Sequence, residues 1–256
     1  DFVKGYSGVF TGEYVEETRP FLSFGEFWDE CSYRDGVLEY NQDAHRQRTC
    51  DWVDSTGGNT AAFDFTTKGI LQEAVARTEY WRLIDTKGRP PGFCGMWPSR
   101  AVTFIENHDT GSTLQHWPFP KDKILQGYCY ILTHPGTPTV FYDHWVDSKS
   151  SEGISTMLDI RKRTGLSSND AAVHIERATA GLYAAHIGHA QEKYTEGLSM
   201  DVDVTRPSIC MKLGVEDWSP NAAKVGNLSW KCTASGEGWA IWEDKNHLED
   251  EISKAR

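Results

Sequence analysis

A strand and a helix meet in the stretch Thr60-Ala61-Ala62-Phe63-Asp64-Phe65-Thr66-Thr67. Residues 60–65 are mostly apolar and predict a buried strand. Asp64 and the threonines after it are residue types that cap helix N-termini, so they predict a helix that continues to Arg77. The stretch is therefore a strand that leads directly into a helix, as at the start of a βαβ unit.

The same alternation extends from this stretch in both directions. Further strands are predicted at 20–25, 101–106 and 139–142, and further helices at 41–54, 121–133 and 148–163. Alternating strands and helices are typical of repeated β/α units on a parallel sheet. Four strands are too few for a closed barrel of eight, which takes about 250 residues. We therefore expect about half of a (β/α)8 TIM barrel.

After Gly165 the pattern changes to short segments separated by glycine, aspartate and asparagine turns. The segments 181–187, 208–213, 227–233 and 238–242 predict antiparallel strands. The expected fold class is α/β, with the barrel half followed by a small antiparallel β-sheet domain. We assign the partial barrel to 1–164, the C-terminal β domain to 165–245 and a polar tail to 246–256.

The 256-residue chain is acidic, with 26 Lys and Arg against 37 Asp and Glu and a formal net charge of −11. It lacks the basic footprint that nucleic acids bind, so we expect no nucleic-acid partner. No apolar run approaches the roughly 18 residues of a membrane helix, so we expect no membrane partner either. We expect a monomer.

Six cysteines are scattered along the chain without the spacing of a zinc site: Cys31, Cys50, Cys94, Cys129, Cys210 and Cys232. In a chain of this size they indicate reduced, buried thiols and not a disulfide framework. This favours a plastid or another intracellular compartment, and a secreted protein stays open as the alternative.

Three acidic residues stand where chemistry is expected in a β/α protein. Glu26 and Asp109 each follow a predicted strand, and Asp1 begins the chain. The carboxyl ends of barrel strands form the catalytic rim. Taken singly, however, each residue is equally typical of a cap, a turn or an exposed strand end. The chain is also 12% aromatic, and aromatic rings beside carboxylates suit sugars, although core filling is an equal alternative.

Three motifs carry a family resemblance. They are Asp1-Phe2-Val3-Lys4-Gly5-Tyr6-Ser7, Gly25-Glu26-Phe27-Trp28 and Phe104-Ile105-Glu106-Asn107-His108-Asp109. They resemble the second, third and fourth conserved regions of the α-amylase family of glycoside hydrolases, in its plant and green-algal form. The resemblance extends over 1–163 and implies a barrel segment from the end of strand 4 to helix 8.

The resemblance implies roles for individual residues. It makes Asp1 the nucleophile, Glu26 the general acid/base and Asp109 the carboxylate that stabilises the transition state. It implies that sugars are bound by a further set of side chains: Lys4, Trp28, His108 and Trp117. It also implies a structural calcium ion, to which Gly5 gives a backbone carbonyl.

The implied activity is endo-hydrolysis of α-1,4-glucosidic bonds in starch and malto-oligosaccharides by a retaining double displacement. Two alternatives stay open. One is a branching, debranching or transglycosylating member of the same family, and the other is a non-catalytic starch-binding remnant.

The motifs that precede Asp1 in the family have no counterpart in this sequence. They include the first three barrel strands and most calcium ligands. We therefore expect the chain to correspond to the C-terminal part of the enzyme and to hydrolyse starch poorly by itself.

Overall fold

The structure, a computed structural model, describes residues 1–168, 171–192, 202–220 and 229–244. Its first part is built on a parallel sheet with the strand order β1-β4-β5-β6. These strands are β1 (Phe24–Gly25), β4 (Ala61–Phe63), β5 (Ala101–Thr103) and β6 (Thr137–Pro138). Between β1 and β4, the strands β2 (Tyr33–Arg34) and β3 (Val37–Leu38) form a small antiparallel hairpin.

Helices connect and follow the strands of this sheet. They are α1 (Gly8–Thr18), α2 (Asp43–Ser55), α3 (Phe65–Arg77), α4 (Ile124–Thr133), α5 (Tyr142–Val146) and α6 (Ser151–Arg163). Short 3-10 turns lie at Val3–Gly5, Tyr80–Leu83, Phe93–Gly95 and Pro98–Arg100. The alternation of strand and helix confirms the predicted β/α organisation.

Asp64 caps α3 as the sequence predicts. Its Oδ1 accepts the Thr67 N–H at 2.8 Å, and its Oδ2 accepts the Thr67 hydroxyl at 2.6 Å. The same carboxylate also accepts the N–H groups of Phe93 at 3.1 Å and Cys94 at 2.8 Å. Asp64 is fully buried, so these four bonds supply the partners that a buried carboxylate requires.

The second part is an antiparallel sheet in the order β10-β11-β9-β8-β7. Its strands are β7 (Ala171–Ala178), β8 (Leu182–Glu192), β9 (Val202–Gly214), β10 (Trp230–Gly236) and β11 (Trp239–Asp244). This sheet confirms the predicted fold class. The position of the domain boundary near Gly165 stays a prediction, and the predicted tail, 246–256, lies outside the described residues.

One hydrophobic core joins the two parts. It contains Leu71 of α3, Ile131 of α4 and Ile154 of α6 together with Ile209 and Ile241 of the antiparallel sheet. Helix α4 is buried on all sides from Gln126 to Thr133, which explains why its sequence is apolar all round.

All four strands predicted for the barrel part are shorter in the structure, and two of them differ most. The strand predicted at 139–142 is wrong, because the chain pairs with β5 earlier, at Thr137–Pro138, and then enters α5 at Tyr142. Pro138 fits in this strand because β6 is the last strand of the described sheet, and an edge strand tolerates proline. The strand predicted at 20–25 shortens to β1, since Phe21 is fully exposed.

All six cysteines lie in the described ranges, where the structure has them as free thiols. Five of them are partly or fully buried, and Cys232 is exposed. Among helices of the described residues, none has the length and apolar character needed to cross a bilayer.

Candidate active site

The first residues of the chain fold against the end of β1. Phe2 adopts a left-handed backbone conformation with φ of 43°. Its N–H points at the Glu26 carboxylate, 3.4 Å from Oε2, and its carbonyl accepts the Gly5 N–H at 3.0 Å. Glu26 therefore lies near the peptide bond that joins Asp1 to Phe2. Asp1 is exposed, whereas Glu26 is half-buried.

Asp29 holds Lys4 in place. The Lys4 Nζ donates to Asp29 Oδ1 at 2.5 Å, and the Arg48 guanidinium donates to Oδ2. Burial raises the pKa of the Asp29 carboxyl, but the hydrogen bonds from Lys4 and Arg48 outweigh burial and lower it to about 2. The carboxylate thus stays charged and fixes one of the predicted sugar-binding side chains.

We expect Asp29→Asn to flatten the acid-induced loss of stability. The folded-state pKa of about 2 lies below the unfolded value of about 4, so the ionised group stabilises the fold above about pH 4. That contribution disappears as the pH falls from about 4 to about 2. Urea denaturation at pH 2, 3, 4 and 6 measures it, with exposed Asp54→Asn as the control. An equally steep loss in Asp29→Asn and wild type would contradict the assignment.

Glu106 shapes the loop that follows β5 and carries Asp109. Its Oε1 accepts the Thr110 hydroxyl at 2.5 Å, and its Oε2 accepts the Phe119 N–H at 2.8 Å. Asn107 Oδ1 accepts the N–H groups of Asp109 at 3.1 Å and Thr110 at 2.8 Å. The buried Glu106 carboxylate and the half-buried Asn107 amide therefore fix the loop backbone that carries Asp109.

The loop then folds back on itself beside Asp109. The His116 N–H donates to the Asp109 carbonyl, and the Trp117 N–H donates to the Thr110 carbonyl, both at 3.1 Å. His108 Nε2 lies 3.5 Å from Asp109 Oδ1, and 80% of the His108 side chain is exposed against 25% for Asp109. Asp109 therefore lies against the backbone of His116, one residue before Trp117.

Lys68 fixes both the backbone and the ring of Trp117. This fully buried lysine donates to the Trp117 carbonyl at 2.8 Å and to Gln72 Oε1 at 2.6 Å, and its Nζ lies 4.6 Å from the Trp117 ring centre. Burial lowers the pKa of Lys68 to about 7. The Trp117 ring also packs closely on Gly69, since a Cβ there would come within 2.8 Å of the ring. Trp117 consequently has a defined orientation.

A cleft of about 850 Å³ brings several predicted residues together. Lys4, Trp28 and Trp117 line it, and Trp28 is held there by stacking on Phe65 with ring centres 5.0 Å apart. Sequence reasoning missed the other lining residues: Phe2, Asp29, Glu30, Cys31, Tyr33 and His116. Those from Asp29 to Tyr33 directly follow the Gly25–Trp28 motif, which is the signal that could have identified them.

The residues that the structure describes do not make a calcium site by themselves. Calcium takes six to eight oxygen ligands, and the prediction assigns it only the Gly5 carbonyl from this chain. In the part of the chain that the structure describes, no group of three or more His, Cys, Asp or Glu residues could hold a metal ion. The role of Gly5 stays a prediction, and no step below uses calcium.

Known proteins resemble this chain over most of its length. A family model described as the alpha-amylase C-terminal beta-sheet domain matches residues 163–243. The chain is 48% identical over 244 residues to probable alpha-amylase 2 of Arabidopsis thaliana, covering 94% of this chain and 53% of that protein. It is 40% identical over 177 residues to the alpha-amylase type B isozyme of Hordeum vulgare, covering 68% of this chain and 99% of that protein. The chain belongs to the α-amylase family.

The chain spans about half the length of the Arabidopsis alpha-amylase 2 and 25% of alpha-amylase 3, chloroplastic, of the same plant, to which it is 46% identical. Among solved structures, the crystal structure of alpha-amylase from H. orenii aligns with a TM-score of 0.48 at 11% identity, covering 92% of this chain and 54% of that chain.

Proposed function

We propose that this chain carries the catalytic carboxylates of an endo-acting, retaining hydrolase of α-1,4-glucosidic bonds in starch and malto-oligosaccharides. One observation carries the proposal. The Phe2 N–H contact with Glu26 holds the segment of Asp1 against the end of β1, beside the cleft that Trp28 and Trp117 line. Cleaving a glycosidic bond requires a pair of carboxyl groups that flanks it, and we assign these two groups to Asp1 and Glu26.

The first step transfers the sugar to Asp1. Glu26, as the protonated acid, gives its proton to the glycosidic oxygen while the Asp1 carboxylate attacks the anomeric carbon. The bond from that carbon to the leaving oxygen breaks as the bond to the Asp1 oxygen forms. The departing glucan leaves with the proton, and Glu26 becomes a carboxylate.

The second step releases the sugar to water. Glu26, now a base, takes a proton from water as the water oxygen attacks the anomeric carbon, and the bond to Asp1 breaks. Two displacements at one carbon restore its original configuration. Asp109, with His108 at 3.5 Å, supplies negative charge near the positive anomeric carbon of both transition states.

The side chains that line the cleft would bind the glucan. Trp28 is fixed by Phe65, and Trp117 by Lys68, so both aromatic rings are ordered before substrate arrives. Preordered rings lose little entropy when a sugar stacks on them. Lys4, held by Asp29, gives a donor for sugar hydroxyls. These contacts support a neutral glucan as the substrate.

The test uses a hybrid that places the N-terminal part of the Arabidopsis alpha-amylase 2 before Asp1. We expect this hybrid to release reducing ends from soluble starch and to form α-anomeric products first, as seen by proton NMR. The 256-residue chain without the added N-terminal part is assayed in the same way for comparison. New α-1,6 links in amylopectin would indicate the branching alternative, and tight starch binding without reducing ends would indicate the binding remnant. First products of β configuration would contradict retention.

We also propose a plastid or another intracellular compartment. The free thiols support it, and one relative bears the name alpha-amylase 3, chloroplastic.

A further inference from the structure

An aromatic pair lies on the surface outside the cleft. Trp81, in the 3-10 turn Tyr80–Leu83, is 36% exposed. Its ring centre lies 5.5 Å from that of Tyr40, with the two rings tilted by 51°. The Arg82 guanidinium lies 4.8 Å from the Trp81 ring centre. The indole is thus held between Tyr40 and Arg82, and part of it faces solvent.

The neighbours of Trp81 make it rigid. Arg82 is 7% exposed at its side chain and is fixed by Glu79 Oε2 at 2.7 Å and the Leu38 carbonyl at 3.0 Å. On the other side, the buried Tyr80 donates its hydroxyl to Gln126 Oε1 at 2.6 Å. A rigid, partly exposed indole loses little entropy on binding a ligand.

A groove of about 550 Å³ adjoins the aromatic pair. Tyr40 and Arg82, which contact Trp81, both line it, together with Arg34, Asp35, Glu39 and Asn41. Arg34 pairs with Glu39 at 2.8 Å, and Arg82 pairs with Glu79 at 2.7 Å. Because both guanidinium charges are compensated, the groove does not favour an anionic ligand, and its carboxylate and amide groups suit a ligand that is rich in hydroxyl groups.

The β2–β3 hairpin separates this groove from the cleft. Tyr33 lines the cleft, whereas the next residue of the strand, Arg34, lines the groove. Successive side chains of a strand point to opposite faces, so the hairpin forms a wall between the two depressions. A polymer that crosses the hairpin could therefore occupy both.

We propose that Trp81, Tyr40 and this groove form a second binding site for a neutral α-glucan, on the far side of the hairpin from the cleft. The choice of glucan as ligand rests on the proposed function. Stacking on Trp81 supplies the apolar contact, and Glu39, Asn41 and Asp35 supply partners for sugar hydroxyls.

Native electrophoresis of the chain through gels containing amylopectin tests the site without requiring hydrolysis. Trp81→Ala and Tyr40→Ala are each expected to weaken retardation, with the apparent dissociation constant rising roughly threefold to tenfold, the effect of losing one aromatic contact. Trp145→Ala, which removes another exposed tryptophan, on α5, is the matched control and should migrate as wild type. In a Trp117→Ala background, which weakens the cleft, Trp81→Ala should remove most of the remaining retardation.

The second site would be overturned if amylopectin retarded both Trp81→Ala and Tyr40→Ala as strongly as the wild-type chain. It would also be overturned if amylopectin did not retard the wild-type chain. Thermal unfolding of each variant, compared with Trp81→Phe, separates lost binding from lost folding. If the hybrid hydrolyses starch but Trp81→Ala does not weaken retardation by amylopectin, the second site alone is rejected. Trp81-dependent retardation with an inactive hybrid would support the second site and reject the proposed function.

Discussion

Replacing Glu26 with glutamine is expected to lower the kcat of the hybrid enzyme on starch by at least about 100-fold, because general acid catalysis contributes about 10²- to 10⁴-fold. Glutamine has nearly the same shape and keeps an oxygen that can accept the Phe2 N–H, so the Asp1 segment should stay in place. It cannot give a proton to the glycosidic oxygen. KM should change little, since the cleft side chains are untouched.

A substrate with a good leaving group sharpens this test. An aryl malto-oligosaccharide whose phenolate departs without a proton should recover much of the lost rate in its first step if Glu26 is the acid. Glu13→Gln, at an exposed position of α1, is the control and should keep wild-type kinetics. If Glu26→Gln kept more than about a tenth of the wild-type kcat on starch, another group would have to be the acid.

The parts of the fold that local interactions determine could be predicted from the sequence. The cap at Asp64 is one, because its Thr67 partner lies only three residues away. The helices around it are another, since their apolar spacing is visible in any short window. The predictions failed at strand ends, where pairing with a distant strand decides the bounds. Pro138 pairs with Thr103, and these two residues are too far apart in sequence for one short window to contain both.

The candidate site shows the same division. Motifs identified Glu26, Asp109 and the tryptophans, but not how they are held. The bond from Lys68 to the Trp117 carbonyl joins residues 49 apart in sequence, and the Phe2 contact with Glu26 joins residues 24 apart. The cleft wall at Tyr33 lies in a strand of two residues, too short to show a period of two.

The junction between the two sheets also depends on contacts that no local pattern reveals. Arg163, the last residue of α6, donates to both carboxylate oxygens of Glu243 on β11, at 2.7 and 2.5 Å. The Glu243 side chain is fully buried, and that of Arg163 is 32% exposed. The hydrogen bonds to Glu243 raise the pKa of Arg163 above its ordinary value. The pair thus ties the last helix of the barrel part to an inner strand of the antiparallel sheet.

Arg163→Met should therefore destabilise the chain strongly, by about 3–5 kcal/mol, because it leaves a carboxylate buried without this cationic partner. Urea denaturation at pH 7 measures the loss. Lys162→Met, at the exposed neighbouring position, is the matched control and should cost less than about 0.5 kcal/mol. Adding Glu243→Met to Arg163→Met removes the buried charge, so the double variant should regain a large part of the lost stability. If the double variant were no more stable than Arg163→Met, the uncompensated charge of Glu243 would not account for the loss.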